Sequence, residues 1–440
     1  MAFVPTEVKT TTSTAGKSYT LAFILVTSLF FLWGLANSLN GTLIKHFQTA
    51  LHLNRAQAGI VDSAFYIGYF VMALPAAFLM NRIGYKKGIL IGLCLYALGA
   101  ILFYPAAEVR VYGFFLFGLF VIACGLAFLE TAANPYVTVL GDPAGAERRI
   151  NFSQSFNGTS IILGPVIGSL FIFSNVEYTN EMLDAMPGAE AEAIRIAEAQ
   201  SVQGPYLFLA GVVLFVALLF AMVKMPEISD PSEKSATFKG IARHKHLIWG
   251  VIAQFFYVGA QASIWGYYVD LKLHFASDQQ FGIVAAIYRF HEGMTPTQMA
   301  SFHASFAFAM FMIGRFAGTW LLTRVAANKL LAVYAAISVA LLVFAYLSDG
   351  LAAVASLTML YFFMSIMFPT IFALSIKNLG DQVKIGSGLV IMAIVGGAVL
   401  PPITGYFSLF GIENALLVPL IAFLVILYFG LKGYKVVNNE

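Results

Sequence analysis

The sequence predicts an all-α membrane protein, with twelve transmembrane helices in two pseudo-symmetric six-helix bundles. Three observations carry this. Of 440 residues, 60% are hydrophobic and 11% charged, whereas a soluble protein carries roughly 25% charged residues. Apolar runs of membrane-spanning length recur twelve times, each near the ~20 residues that cross a bilayer as a helix. The two halves also repeat features in the same order. FFLWGLANS at 30–38 resembles FFYVGAQAS at 255–263, NRIGYKK at 81–87 lies opposite TRVAANK at 323–329, and Pro135 and Pro369 occupy the fourth and tenth runs. Duplicated bundles of this kind are a transporter signature, with the site near the midplane between them.

The elements follow in order. Residues 1–18 are polar and rich in Thr and Ser. They lack the apolar core of a signal peptide and are expected to be a short cytoplasmic tail. The spans are expected near 21–44, 57–80, 88–107, 113–140, 151–174, 205–225, 247–271, 298–323, 329–348, 351–378, 385–409 and 413–432. The N-terminal bundle is then 19–225 and the C-terminal bundle 247–440. The stretch PEISDPSEKSATFKGIARHKH, within 226–246, reads as a cytoplasmic linker. Its basic end suits an amphipathic helix on an anionic leaflet, and a plain tether fits equally well. The acidic, Ala-rich loop 175–204 is expected outside.

Charge sets the orientation. With alternate loops assigned to alternate sides, 18 of the 25 Lys and Arg fall on the side of the termini and six on the other, and Arg315 stays within a span. By the positive-inside rule both termini are cytoplasmic. The expected location is a bacterial inner membrane, crossed many times, with the lipid bilayer as the standing partner. A net charge of +3 gives no reason to invoke nucleic acid.

Enzyme signatures are missing. There is no Gly-rich phosphate loop, no Gly-x-Ser-x-Gly elbow and no His- or Cys-rich metal pattern. Six of the seven histidines lie in loops or at span ends, and Cys94 and Cys124 sit in apolar runs as core thiols. No enzyme, cofactor or metal is expected, and the chain is expected to act as a monomer.

The chemistry concentrates in span four, GFFLFGLFVIACGLAFLETAANPYVTVLG. A carboxylate in hydrocarbon costs at least about 2.5–3.5 kcal/mol, so Glu130 is expected to face a wet interior and to couple a cation. Asn134 follows one turn later on the same face. Pro135 removes a backbone hydrogen bond, and such a break opens toward protein or water. In span seven Gln254, Tyr257, Gln261, Trp265 and Tyr268 recur at three- and four-residue steps. Amides and rings on one face suit a neutral polyol, since amides bond hydroxyls and rings stack on a sugar's C–H face. A helix–helix seam glued by amides is the competing reading. Span five opens with Asn151, Gln154 and Asn157, and span one carries Trp33, Asn37, Ser38 and Asn40. Asp62, in the outer third of span two, suits either a coupling role or a helix-end hydrogen bond. Arg82, between spans two and three, is expected to bond helix C-terminal carbonyls and latch the cytoplasmic side. Arg315 in span eight is a candidate gating residue that needs an acceptor.

The stretches SLFFLWGLANSLN (28–40), SAFYIGYF (63–70), LETAANPYVTVLG (129–141), QSFN (154–157), QFFYVGAQ (254–261), IGRFAGTWL (313–321) and FPTIFALSIKNLG (368–380) resemble the major facilitator superfamily, and within it the fucose permease branch, which also holds glucose/galactose carriers. The resemblance implies the major facilitator fold, alternating access, and symport of a hexose or deoxyhexose with a proton. It implies that Glu130 is the family's membrane carboxylate and that Gln154 and Asn157 contact sugar. Where the branch has an Asn-Asp pair in span one, this chain has Asn40-Gly41. Ser38 replaces an Asn, Phe368 replaces a Tyr in span ten, and Asp62 replaces an amide. Coupling is therefore expected at Glu130 alone or at Glu130 with Asp62, to H+ or alternatively to Na+, or is absent in an uncoupled facilitator.

Overall fold

The computed structural model describes residues 20–53, 57, 60–171, 178, 180–225, 240–275 and 296–436. The expected tail and most of the linker lie outside these residues. Twelve helical crossings follow: α1 (Thr20–Ala50), α2 (Ile60–Ile83), α3 (Tyr85–Ile101, continued by Phe103–Val109), α4 (Tyr112–Val139), α5 (Ala146–Phe171) and α6 (Gln203–Met222), then α7 (Lys245–Phe275), α8 (Pro296–Leu321), α9 (Ala327–Leu347), α10, α11 and α12 (Leu417–Tyr428). Two crossings are broken. α10 is Gly350–Met364 and then Met367–Ser375, and α11 is Val383–Met392, one 3₁₀ turn, and then Gly396–Ser408. Ten stretches among the described residues are long and apolar enough to cross a membrane, and α8 holds a shorter apolar run at Phe306–Leu321. α5 opens instead on the polar segment AERRINFSQSFNGTS. Twelve crossings return the chain to its starting side, so both ends of the described chain lie at one end of the bundle, the termini end.

Lipid tails are as apolar as Leu, so helices hold together here by close packing over small residues rather than by water exclusion. A Cβ on Gly125 of α4 would lie 2.6 Å from the carbonyl oxygen of Gly92 on α3, and one on Gly314 of α8 would lie 2.3 Å from the Phe362 oxygen on α10. No side chain fits at either place.

Two differences from the sequence reading have physical causes. α4 runs unbroken through Pro135, because neighbouring helices hold a membrane helix across a lost bond. The loop between α5 and α6 contains helices Asn180–Asp184 and Gly188–Ser201. The second is rich in Ala and Glu, both strong helix formers. These two helices cap the far end of the first six. Arg195 donates to the Thr49 oxygen at 3.0 Å and pairs with Asp184 at 3.1 Å. His46 Nδ1 lies 3.5 Å from Glu198 Oε2, and both side chains are buried. Burial pushes the His46 imidazole down to about 4, against a smaller opposing pull from Glu198.

Candidate functional site

The site grows from the middle of α4. Glu130 is 4% exposed, and Tyr69 of α2 donates to its Oε1 at 2.5 Å. One turn on, Asn134 is fully buried and its Oδ1 accepts from Gln154 Nε2 of α5 at 3.5 Å. Asn134 Nδ2 has no partner among the described residues. One turn further along α5, the Asn157 amide oxygen accepts from Trp33 Nε1 at 2.9 Å once the amide is oriented by its neighbours. Trp33 is itself buried against the Phe30 ring, 4.2 Å between centroids. Residues 33, 69, 130, 134, 154 and 157 thus come together from α1, α2, α4 and α5.

The opposite wall follows from a proline. Pro369 has no N–H, so the carbonyl of Ser365, four residues back, loses its helical donor. Arg315 Nε of α8 donates to that oxygen at 2.9 Å. Tyr257 of α7 donates to the neighbouring Met364 oxygen at 3.0 Å. The same guanidinium donates from Nη1 to the Gln154 backbone oxygen at 2.5 Å and lies 4.7 Å from the Phe311 ring centroid. One buried arginine therefore ties the broken helix of the second half to the amide helix of the first. Phe368 is half-buried, 6.4 Å from the Tyr257 ring. Gln261 is half-buried on the same α7 face, and Trp265 Nε1 is enclosed without a partner among the described residues, beside Phe308 and Phe311.

Other expected residues are not brought in. Asp62 is exposed in the first turn of α2, where a helix N-terminus favours an acid. It lies two turns from Tyr69, on the face that also carries Tyr66. Asn37 is exposed and Ser38 half-buried; the side chain of Asn40 lies outside the described residues. Arg82 is exposed and makes no hydrogen bond among the described residues. Lys86 instead caps the end of α6, donating to the oxygens of Ala221 and Val223 at 2.9 Å each. The reason is geometric: Lys86 lies in the first turn of α3, which packs on α6, and Arg82 points outward from the end of α2. Sequence reasoning also missed Tyr69 and Arg149. Arg149 donates to Val137, Thr138 and Asp142 carbonyls, closing the C-terminal end of α4.

On the termini side of Arg315 the two halves are in contact. Asn151 Nδ2 reaches Thr370 Oγ1 at 3.2 Å, Glu147 pairs with Lys377 at 3.6 Å, and Lys384 lies 5.2 Å from the Tyr85 ring centroid. A Cβ on Gly388 of α11 would lie 2.7 Å from the Ala77 Cβ of α2. That end is shut. Among the described residues no group of three His, Cys, Asp or Glu is placed to hold a metal ion.

A buried acid beside amides, between two halves closed at one end, defines a multi-pass secondary transporter rather than an enzyme. The family model of the Major Facilitator Superfamily matches residues 26–394, and the chain belongs to that superfamily. It is 42% identical to the L-fucose-proton symporter of Escherichia coli (strain K12) over 94% of this chain and 93% of that one. It is 37% identical to a glucose/galactose transporter of Brucella abortus over 98% and 99%. A crystal structure of a major facilitator transporter, FucP, in the outward conformation superposes with a TM-score of 0.83 at 41% identity, covering 95% of this chain and 99% of that one.

Proposed function

We propose that this chain is a cation-coupled sugar symporter that moves L-fucose or a related hexose by alternating access, with H+ as the coupling ion. One observation carries the reading: a buried carboxyl, Glu130, held by Tyr69 and set one turn from the Asn134–Gln154 amide pair. Glu130 takes a proton from outside. The sugar then bonds Asn134, Gln154 and Asn157 from the first half and Gln261 from the second, and stacks on Trp33, Tyr257, Trp265 and Phe368. The loaded site is neutral. A sugar held beside a bare carboxylate would add roughly 2.5–3.5 kcal/mol to the occluded state, so sugar does not cross without the proton, whereas the empty site, its carboxylate held by Tyr69, returns ionised to complete the cycle. Inward opening separates α5 from α8, so the Arg315 bond to Gln154 breaks; that makes Arg315 the gating residue. Sugar leaves, and Glu130 releases its proton.

The division into a bundle at 19–225, a linker at 226–246 and a bundle at 247–440 is supported by the Arg315 bridge, which crosses between the two. The positive-inside count supports cytoplasmic termini, so the closed end faces the cytoplasm of a bacterial inner membrane. A second reading has a specific basis. Gly41 stands where the fucose permease branch carries an acid, which favours sodium-coupled glucose or galactose uptake, or facilitation without an ion. Uptake of labelled L-fucose, galactose, glucose and N-acetylglucosamine into vesicles, under an imposed proton or sodium gradient, tests both. L-fucose uptake driven by the proton gradient is expected. Equal uptake with and without any gradient would sink the coupled reading.

A further inference from the structure

Gln254 is a polar residue of α7 that neither the proposed sugar site nor the gate uses. It is fully buried, and neither its amide oxygen nor its nitrogen has a partner among the described residues. A buried primary amide with no hydrogen bond is costly and rare in folded proteins. It persists where a second state of the molecule satisfies it.

The packing says which state. On α7 the turns before Gln254 touch two different helices. A Cβ on Gly250 would collide with the Ser375 side chain of α10, and Leu247 lies against Gly386 of α11. One turn after Gln254, Tyr257 reaches the break in α10. Gln254 therefore points between α10 and α11, on the arc of α7 shared with Tyr257 and Gln261. It sits one turn nearer the termini end than the break. The segments of α10 and α11 that flank it are those pressed against the first half, through Thr370–Asn151 and Gly388–Ala77. Asn151 Oδ1 and Ser387 Oγ, on either side of that seam, are also buried without a partner.

We infer that Gln254 is an inner sugar-contacting residue, engaged only after the termini end opens, when its amide bonds the hydroxyls of a departing neutral sugar. The proposal rests on the sugar-symport reading. With the end shut, the amide meets no partner among the described residues. With it open, the two faces of the seam part and the amide lines the passage from the central site.

Sidedness tests this. Gln254→Leu is compared with the unaltered protein in right-side-out and inside-out vesicles, using labelled L-fucose. The half-saturation concentration from the termini face is expected to rise about tenfold, the loss of one or two neutral hydrogen bonds. That from the opposite face stays unchanged. An equal rise on both faces, or none on either, overturns the proposal. Gln254→Leu is also expected to unfold no more readily than the parent, because it removes an unpaired amide. As a second measurement, Gln254→Cys is made with Cys94 and Cys124 replaced. A small thiol reagent is expected to label it from the termini face, and L-fucose to block labelling. No labelling from the termini face in the absence of sugar, or labelling that L-fucose does not slow, counts against it. If the unaltered protein moves no sugar at all, the symport reading fails instead.

Discussion

Replacing Glu130 by Gln separates binding from driving. Gln keeps an oxygen at the position of Oε1, so Tyr69 retains an acceptor for the bond that now measures 2.5 Å. The change from a charge-assisted to a neutral bond costs about 1 kcal/mol, and the fold survives. The thermodynamic effect is far larger. One proton per cycle, driven by one pH unit, supplies about 1.4 kcal/mol, and 100 mV of potential supplies about 2.3 kcal/mol. Together they support a sugar accumulation ratio of about 500, at ~1.4 kcal/mol per tenfold. Glu130→Gln carries no proton, so its ceiling is a ratio of one. The assay is steady-state accumulation of labelled L-fucose in energised vesicles, beside exchange of internal for external sugar with no gradient. Exchange is expected to continue at a rate close to that of the parent while accumulation disappears. Accumulation by Glu130→Gln would refute the assignment of the proton to this residue.

Three further expectations follow from named contacts. Arg315→Lys keeps the charge but cannot span both Ser365 and Gln154 oxygens; losing one charged hydrogen bond, about 1.5–3 kcal/mol, should slow net uptake by tenfold or more, whereas Pro369→Ala restores a donor to Ser365 and should slow it less while raising thermal stability. Gly388→Val brings its Cβ to 2.7 Å from the Ala77 Cβ and 3.0 Å from the Ala73 oxygen; overpacking costs about 1–3 kcal/mol, so the termini end should stand open, read as faster labelling of a Gln254→Cys reporter from that end and lower uptake. The buried His46 titrates near 4 when folded and near 6.5 when not. The less compact state therefore binds the proton more readily, and the far cap keeps its full stability above pH 6.5, losing about 3 kcal/mol as the pH falls to 4. Hydrogen exchange across 188–201, corrected for intrinsic rates, should accelerate over that window, and His46→Asn should flatten the profile.

What could be read from the sequence was whatever a helical period encodes. The twelve spans, the face shared by Glu130 and Asn134, and the amides at Gln154 and Asn157 all follow from spacing along single helices. The pairing of Trp33 with Asn157 joins two residues already singled out, although neither sequence position names the other. The missed features depend on backbone atoms or on neighbours distant in sequence. Arg315 could not be given an acceptor because its acceptors are carbonyls, which side-chain patterns do not display; the one available signal was Pro369, four residues beyond Ser365. Tyr69 passed as an ordinary aromatic in SAFYIGYF, though a hydroxyl inside a membrane also needs a partner. Arg82 and Lys86 lie four residues apart in one basic loop, and only the packing of α3 on α6 decides which of them meets a helix end.

The position of Arg315 also explains how one residue reports on both halves. A guanidinium buried without a carboxylate stays charged only if its donors are met by fixed dipoles. Pro369 supplies one by freeing the Ser365 oxygen, which lies within the second half beside Arg315. The Gln154 oxygen belongs to the first half, so under the proposed alternating access it is available only while the termini end is shut. Opening that end strands one donor of a buried cation, so it is favourable only when water or a sugar hydroxyl takes the vacated place. The side chain of Gln154 meets Asn134, one turn from Glu130, so whatever moves the α5 backbone at Gln154 is felt at the carboxyl. On the mechanism proposed above, a proton on Glu130 and a sugar on its amides act on the same short piece of α5 that Arg315 grips from the other side, so that piece of backbone is where coupling and gating would meet.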